Sequence, residues 1–397
     1  MPRKPDPTSQ AAHQLLTAFR QLPWPMQLAV VLAGLVLVGV VLWLRSGSPP
    51  APEPSPTAPG AETTTPPGPT APGASPAGFP PGSRTVVFCL WNLENLFDDQ
   101  PDRRSHTADK EFDAWLANDP QARQLKYQRL SEALLRFNAG VGPDIIVGIE
   151  VESERAAQLL REALNARLPA GAEPYPFVAM KELNAGRHIA PAVISRYPLG
   201  PAQLRGRGQR ILEVPVTVNG HELIVVASHW TSQLSDDGKR TSGGRAGYAT
   251  TIAQRYRELV EANPQGDVLV CGDFNDTPEA EPIRDILGLV ADPRLVTPEA
   301  RPPRLLGLLS GKSPQQYGTH YYNNQPLIYD QIGVSAGLLD TLGWGVVPDS
   351  VQVPTEGLTR SGTRLRRPWR FGSRNDAAVG RGYSDHFPVL ATFHVAP

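Results

Sequence analysis

The chain has 397 residues with 38 basic and 39 acidic side chains, a net charge of −1. This excludes a protein whose whole surface is a polyanion-binding face, so any such contact must be local. Its length admits two ordinary domains, but α/β and sandwich units often run to about 250 residues or more, so one large domain is expected. The two cysteines, Cys89 and Cys271, sit in apolar strand-like runs and point to buried thiols rather than a disulfide framework or a metal site.

Residues 26–44 (MQLAVVLAGLVLVGVVLWL) form an uncharged apolar run. As a helix it would span the roughly 30 Å hydrocarbon core of a bilayer. Trp24 and Trp43 stand where interfacial aromatics belong. The run is longer than the apolar core of a cleaved signal peptide and no small-residue cleavage site follows closely, so a signal anchor is the reading. Arg3, Lys4 and Arg20 precede it, against Arg45 alone before Arg84. The positive-inside rule then leaves residues 1–25 in the cytoplasm and the rest of the chain outside, in a single-pass arrangement. Residues 45–83 are rich in Pro, Ala and Thr and too poor in core-forming side chains to fold. Such a tether could hold the following domain, residues 84–397, on the order of 100 Å from the bilayer.

The folded part opens with a predicted strand over 85–91 ending in Asn92-Leu-Glu94-Asn95, whose period of two puts Asn92 and Glu94 on one face. A helix is predicted over 121–137, stopped by Gly140 and Gly142-Pro143. A buried strand over 144–150 delivers Glu150, and 153–167 has the composition of a crossover helix. A strand with Pro191 near its start covers 188–195. Residues 211–218 and 221–228 flank Asn219-Gly220, the pair a type I′ hairpin demands, and the second arm delivers His229-Trp230. After a polar, Gly-rich loop over 231–244, a helix is predicted over 248–262.

The all-apolar run 268–271 then reads as a strand buried on both faces, with Gly272 allowing close approach and Asp273 and Asn275 sharing a face beyond it. Residues 327–335 form a strand with Asp330 inside it, and 382–390 carry Asp385 and His386, with Pro388 marking a strand start or edge. Each polar group singly has a bland alternative as a turn cap or a satisfied buried side chain. Their recurrence at successive strand ends points to one site. Oxygen donors and two histidines without cysteine suit Mg²⁺, or Mn²⁺, rather than structural zinc.

The ordered set NLEN, DIIVGIE, SRYP, SHW, GDFN, YDQIGVS and SDHFPV resembles the endonuclease/exonuclease/phosphatase superfamily, the metal-dependent phosphoesterases related to DNase I and the AP endonucleases. The resemblance covers about 84–393 and is strongest with a bacterial, largely exported branch, through Lys110-Glu-Phe112, Glu150-Val-Glu152, Gly318-Thr-His-Tyr-Tyr322 and Asp330-Gln-Ile332. It implies a four-layered α/β sandwich, two packed mixed sheets flanked by helices, with the site at the strand ends. It implies Glu150 as the main metal ligand, with Asn92, Glu94 and Asp385 around the same ion or a second one. His386 would lie against the scissile phosphate, oriented by Asp330, and Asp273 with Asn275 would align or deprotonate the attacking water. His229 corresponds to a second histidine of DNase I-like members, where AP endonucleases carry an asparagine, which tilts the reading away from abasic-site repair.

Arg187, Trp230 and Arg245 are the expected substrate contacts, and a basic stripe of Arg360, Arg364, Arg366, Arg367, Arg370, Arg374 and Arg381 lies beside the SDH segment. Such a stripe would attract a polyanion even on a neutral protein; a disordered surface loop is the bland alternative. The expected function is metal-assisted in-line hydrolysis of a phosphodiester, as a nuclease acting on nucleic acid outside the membrane, with a monomeric catalytic domain. The alternatives are a phosphoesterase for a phospholipid headgroup or small phosphate ester, and a binding module without catalysis.

Overall fold

The computed structural model describes residues 78–183, 186–233, 241–360, 366–376 and 380–397. Among these no helix is long and apolar enough to cross a membrane. The run at 26–44 and Arg364 lie outside the described residues, as does most of the expected tether.

Two mixed sheets carry the fold. The first holds β1 (Arg84–Leu96), β2 (Ile145–Val151), β3 (Phe177–Met180), β4 (Ala190–Ser195), β14 (Trp344–Val346) and β15 (Val389–Val395), in the order β14-β15-β1-β2-β4-β3. The second holds β5 (Gln203–Arg205), β6 (Ile211–Val218), β7 (His221–His229), β8 (Asp267–Asp273), β9 (Leu289–Val290), β10 (Leu305–Gly307) and β13 (Asp330–Val334), in the order β5-β6-β7-β8-β13-β10-β9. A separate hairpin is made by β11 (His320–Tyr322) and β12 (Gln325–Leu327).

Each sheet has a parallel pair near its middle, β1 with β2 and β7 with β8, flanked by antiparallel neighbours. Parallel neighbours need a crossover. Helices α1 (Thr107–Asn118) and α2 (Pro120–Leu134) supply it in the first sheet, while α3 (Glu154–Asn165) follows β2. In the second sheet the crossover is α4 (Thr241–Ala262).

The strand alternation decides what each face meets. In β8, Leu269 and Cys271 point into the core shared by the two sheets, whereas Val268 and Val270 join Tyr248, Ile252 and Tyr256 of α4 in a second core on the outer face. Tyr127, Leu130 and Leu134 of α2 and Leu160 and Leu164 of α3 extend the first core beyond the first sheet. Both cysteines are free and buried.

Ser153 caps α3, its hydroxyl accepting from the Ala156 N–H at 3.0 Å. Asn219 (φ 52°) and Gly220 (φ 85°) make the left-handed pair of a type I′ turn between β6 and β7. Helix α4 begins at Thr241, ahead of the predicted 248. Propensity opposes glycine there, but a Cβ on Gly244 would stand 3.3 Å from Thr231 Oγ1, so packing supplies a reason for it. Helix α1 was not expected from the sequence. Its apolar Phe112, Trp115 and Leu116 pack with Phe97, Ile189 and Phe371 in a small third cluster.

Candidate active site

The site forms where the parallel strands end and their antiparallel neighbours begin. His229 ends β7 and pairs in register with Asp273, which ends β8. Asp273 pairs in turn with Asp330, the first residue of β13. His229 has the parity of Val225 and Ala227, and Asp273 that of Leu269 and Cys271, so both emerge between the two sheets. From the first sheet come Asn92 and Glu94 on β1 and Glu150 on β2. Asp385 and His386 lie just ahead of β15, the antiparallel neighbour of β1.

Several of these residues sit where the backbone is left-handed: Glu94 (φ 52°), Asn95 (φ 58°), Glu150 (φ 65°) and Asn275 (φ 50°). Non-glycine residues in this region cost on the order of 1 kcal/mol or more each, and such strain clusters at functional sites. In β1 and β2 it coincides with the register shift between Asn92 and Leu96. The bulge ends regular pairing and turns the polar side chains out of the ladder.

His386 is held at several points. Its Nδ1 lies 2.7 Å from Asp330 Oδ2, its N–H donates to Ser384 Oγ at 3.1 Å, and its carbonyl accepts from Trp91 Nε1 at 2.8 Å. Its Nε2 stands 3.8 Å from Asp273 Oδ2. Burial disfavours the charged ring, but Asp330 and Asp273 more than offset this and hold it well above the ordinary histidine range. His229 is the opposite case. Its Nε2 is 3.7 Å from both Asp273 Oδ2 and Glu150 Oε1, yet burial, with Arg210, Arg187 and His386 nearby, pushes it well below that range. Two imidazoles of opposite charge preference therefore flank one carboxylate.

Asp273 is oriented by Asn92 Nδ2, which donates to Oδ2 at 3.0 Å, and by the Asn275 N–H, which donates to Oδ1 at 2.9 Å. Burial pushes its carboxyl up to about 7, where a carboxylate is a competent base at neutral pH. Asn275 is itself fixed, its Nδ2 donating to the Trp230 carbonyl at 3.1 Å.

The donor set fits a hard divalent cation. Glu94 accepts from the N–H groups of Phe371 (2.6 Å) and Gly372 (3.1 Å). Burial and then the charge of Asp385 push it up to about 7, with Lys126 and Arg370 offsetting part of this. A cation would relieve that repulsion. Glu150 keeps one oxygen for the Asn95 N–H at 2.9 Å, and the buried Asp330 Oδ1 has no hydrogen-bond partner. Asp273, Asp330 and His386 bring ligand atoms within 4.8 Å of one another, as do His320, Asp385 and His386. Among the described residues Glu94, Glu150 and Asp385 do not form such a trio. Glu150 and Asp385, which line the cavity, are the open carboxylates that would hold an ion, with Glu94 behind them.

A cavity of about 610 Å³ opens over this constellation. Glu150, Arg187, His229, Asp273, Asn275, Asp385 and His386 of the expected set line it. Asn92, Glu94 and Asp330 support it from beneath. Trp230 and Arg245, expected as substrate contacts, do not line it. Trp230 follows His229 by one residue, so its side chain falls on the α4 side, stacked on Phe274 at 4.5 Å. Arg245 is buried and paired with Asp276 at 2.7 Å.

The basic stripe also changes. Arg381 is buried, donating to the carbonyls of Phe371 and Ser373 with its guanidinium 4.5 Å from the Trp115 ring centroid, and so stabilises the fold. Arg370 faces Glu94 at 3.3 Å.

Besides His320, which lines the cavity, three contributors escaped the sequence reading. Arg210 lines the cavity and its carbonyl accepts from the His229 N–H at 3.0 Å. Counting back from the Asn219-Gly220 turn puts residue 210 opposite 229, so the hairpin register could have found it. Asp109 on α1 is fully buried and accepts from Arg187 Nε at 2.8 Å, aiming that arginine at the cavity. Lys126 on α2 is fully buried, donating to the carbonyls of Glu94 and Tyr383 at 3.1 Å each, and burial lowers it to about 8. Neither showed a signal beyond its residue type.

No match was found among curated proteins. Among solved structures, similar chains include humanised D. rerio TDP2 with 14 mutations (15% identity, TM-score 0.47, 78% of this chain and 98% of that one). C. elegans TDP2 gives 14%, 0.47, 78% and 75%. A beta toxin of Staphylococcus aureus gives 13%, 0.48, 77% and 99%. Residues 199–395 match the model of the Endonuclease/Exonuclease/phosphatase family, and this stretch carries His229, Asp273, Asn275, Asp330, Asp385 and His386.

Proposed function

We propose that this chain is a metal-dependent phosphodiester hydrolase whose substrate is nucleic acid, acting as an endonuclease. The observation that carries the reading is the meeting of His386, held from beneath by Asp330, with His229 and Asp273 on one cavity floor beside Glu150 and Asp385. Asp273, with Asn275 fixing its geometry, takes a proton from the attacking water. Positive His386 lies against the phosphoryl oxygens and protonates the leaving oxygen as the P–O bond breaks. Arg187 and Arg210 bind the anion at the wall. A bound divalent cation, magnesium in this proposal, would neutralise charge on the transferred group.

The test is to incubate the full chain with plasmid DNA, RNA, phospholipid vesicles and a generic phosphodiester, each with Mg²⁺ or with EDTA. Cleavage of DNA or RNA that needs Mg²⁺ and vanishes in chelator is expected. Full activity in EDTA would sink the metal assignment, and turnover of phospholipid alone would shift the reading to a headgroup phosphodiesterase. The anchor at 26–44 and an extracytoplasmic catalytic domain remain part of the proposal, resting on the apolar run and on Arg3, Lys4 and Arg20. Membrane fractionation with protease protection checks this.

A further inference from the structure

A second pocket of about 140 Å³ adjoins the catalytic cavity and shares Ser232, Asn275 and His320 with it. Its remaining lining is Gln233, Tyr322 and Tyr329. His320 and Tyr329 lie nearly parallel, 11° apart with centroids at 5.6 Å, and form a stepped flat wall. The wall is fixed. His320 Nδ1 is 3.1 Å from the Asp385 carbonyl, which can only accept, so this nitrogen carries the proton. Thr319 is fully buried, and its hydroxyl accepts from the N–H groups of Tyr329 and Asp330 at 3.1 Å each, tying the base of the β11–β12 hairpin to β13.

Tyr322 stands at the end of β11 and is 46% exposed, so its ring is open to a ligand in the pocket it lines. The polar lining is oriented as well. Gln233 Nε2 donates to the Asn275 carbonyl at 3.1 Å and to Asp276 Oδ1 at 3.3 Å, which leaves its Oε1 as an acceptor.

We propose that this pocket is a base subsite, in which a nucleobase attached next to the scissile phosphate stacks on the Tyr322, Tyr329 and His320 surface while its edge meets Gln233. The proposal deepens the nuclease reading and rests on it for the substrate class. Aromatic walls also suit a quaternary ammonium headgroup. That group has no hydrogen-bonding edge, however, and would make no use of the Gln233 amide.

Two measurements on the full chain and on Tyr322→Ala and Tyr322→Phe variants test it. The first compares hydrolysis of a single-stranded oligonucleotide with that of one carrying abasic spacers at the cleavage position. Tyr322→Ala should raise KM for the base-bearing strand by roughly 5- to 100-fold, the range for losing a base–aromatic stack, with kcat nearly unchanged. Tyr322→Phe should stay near the parent, and the abasic strand should respond to neither change. An equal effect on both strands, or none on either, overturns the subsite.

The second measurement is equilibrium binding of a nucleoside monophosphate, deoxyribose phosphate and phosphocholine, which does not need turnover. The parent should prefer the base-bearing ligand and Tyr322→Ala should lose that preference. No preference in the parent overturns the subsite even if nucleic acid is cleaved. A Tyr322-dependent preference for phosphocholine overturns it in favour of a headgroup site. Absence of oligonucleotide cleavage with an intact binding preference would instead remove the nuclease reading.

Discussion

His386 shows how much a single residue depends on its supports. An isolated histidine in an SDH segment is an ordinary polar residue until Asp330, from a strand far away in sequence, fixes its Nδ1 and holds it positive. His386→Ala should therefore lower kcat on a phosphodiester by roughly 10²- to 10⁴-fold with little change in KM, the signature of an acid used in the transition state. Asp330→Asn should lose less, because the ring remains but is poorly oriented and less basic. Steady-state kinetics of both variants check this, and a large rise in KM with unchanged kcat for His386→Ala would reassign it to ground-state binding. At this scale the sequence was informative about residue type and uninformative about direction. Trp230 and His229 are neighbours in the chain, yet the strand period sends one to the α4 side and the other into the cavity.

At the scale of elements, the parallel pair β7–β8 is the part of the scaffold that holds His229 against Asp273. Gly272 allows its closeness. A Cβ at that position would run into the Ser228 carbonyl, with the carbonyl carbon at 2.8 Å, and the contact is backbone, which cannot rotate away. Gly272→Ala should destabilise the protein by about 3 kcal/mol, at the upper end for overpacking a close-packed site. Chemical denaturation measures the loss; an unchanged midpoint would mean that β7 and β8 can separate without cost. The strand itself was legible from its continuous apolar run, and the hairpin before it from Asn219-Gly220, because both signals are local. Helix α1 was not legible. Its apolar residues meet Phe97, Ile189 and Phe371, partners that only the folded chain brings together.

The whole molecule is held as a sandwich partly by links between the sheets, and one of them titrates. Asp267 opens β8 in the second sheet and its Oδ2 accepts from the N–H of Trp344 in β14 of the first, at 3.0 Å. Burial pushes its carboxyl up to about 7 despite that hydrogen bond. The folded state thus binds the proton more tightly than the unfolded chain, whose aspartate titrates near about 4. Stability from this group is fully present below about pH 4 and falls as pH rises towards 7. Asp267→Asn keeps an acceptor for Trp344 without a charge. The variant should melt higher than the parent at pH 8, with the difference shrinking to nothing below pH 4. Thermal melts across that range test it, and a variant less stable than the parent at pH 8 would show that the charged carboxylate is well solvated.

What the sequence by itself determined was the inventory of strand ends and their polar termini, because strand period, glycine breaks and the Asn-Gly turn act through neighbouring residues. The terminal apolar run and the proline-rich stretch belong to the same level, being properties of composition. Only the tertiary structure decided which side chains share a cavity. It brought in Arg210 through hairpin register, Asp109 and Lys126 through burial beside the site, and His320 through a bridge to His386. It also withdrew Trp230, Arg245 and Arg381 into the packed interior. The physical reason is that long-range pairing sets side-chain direction and burial, and burial sets charge; two histidines alike in sequence become opposite in the fold because burial disfavours charge on both, with Arg210 and Arg187 adding to it at His229, while Asp330, hydrogen-bonded to the ring, and Asp273 more than offset it at His386.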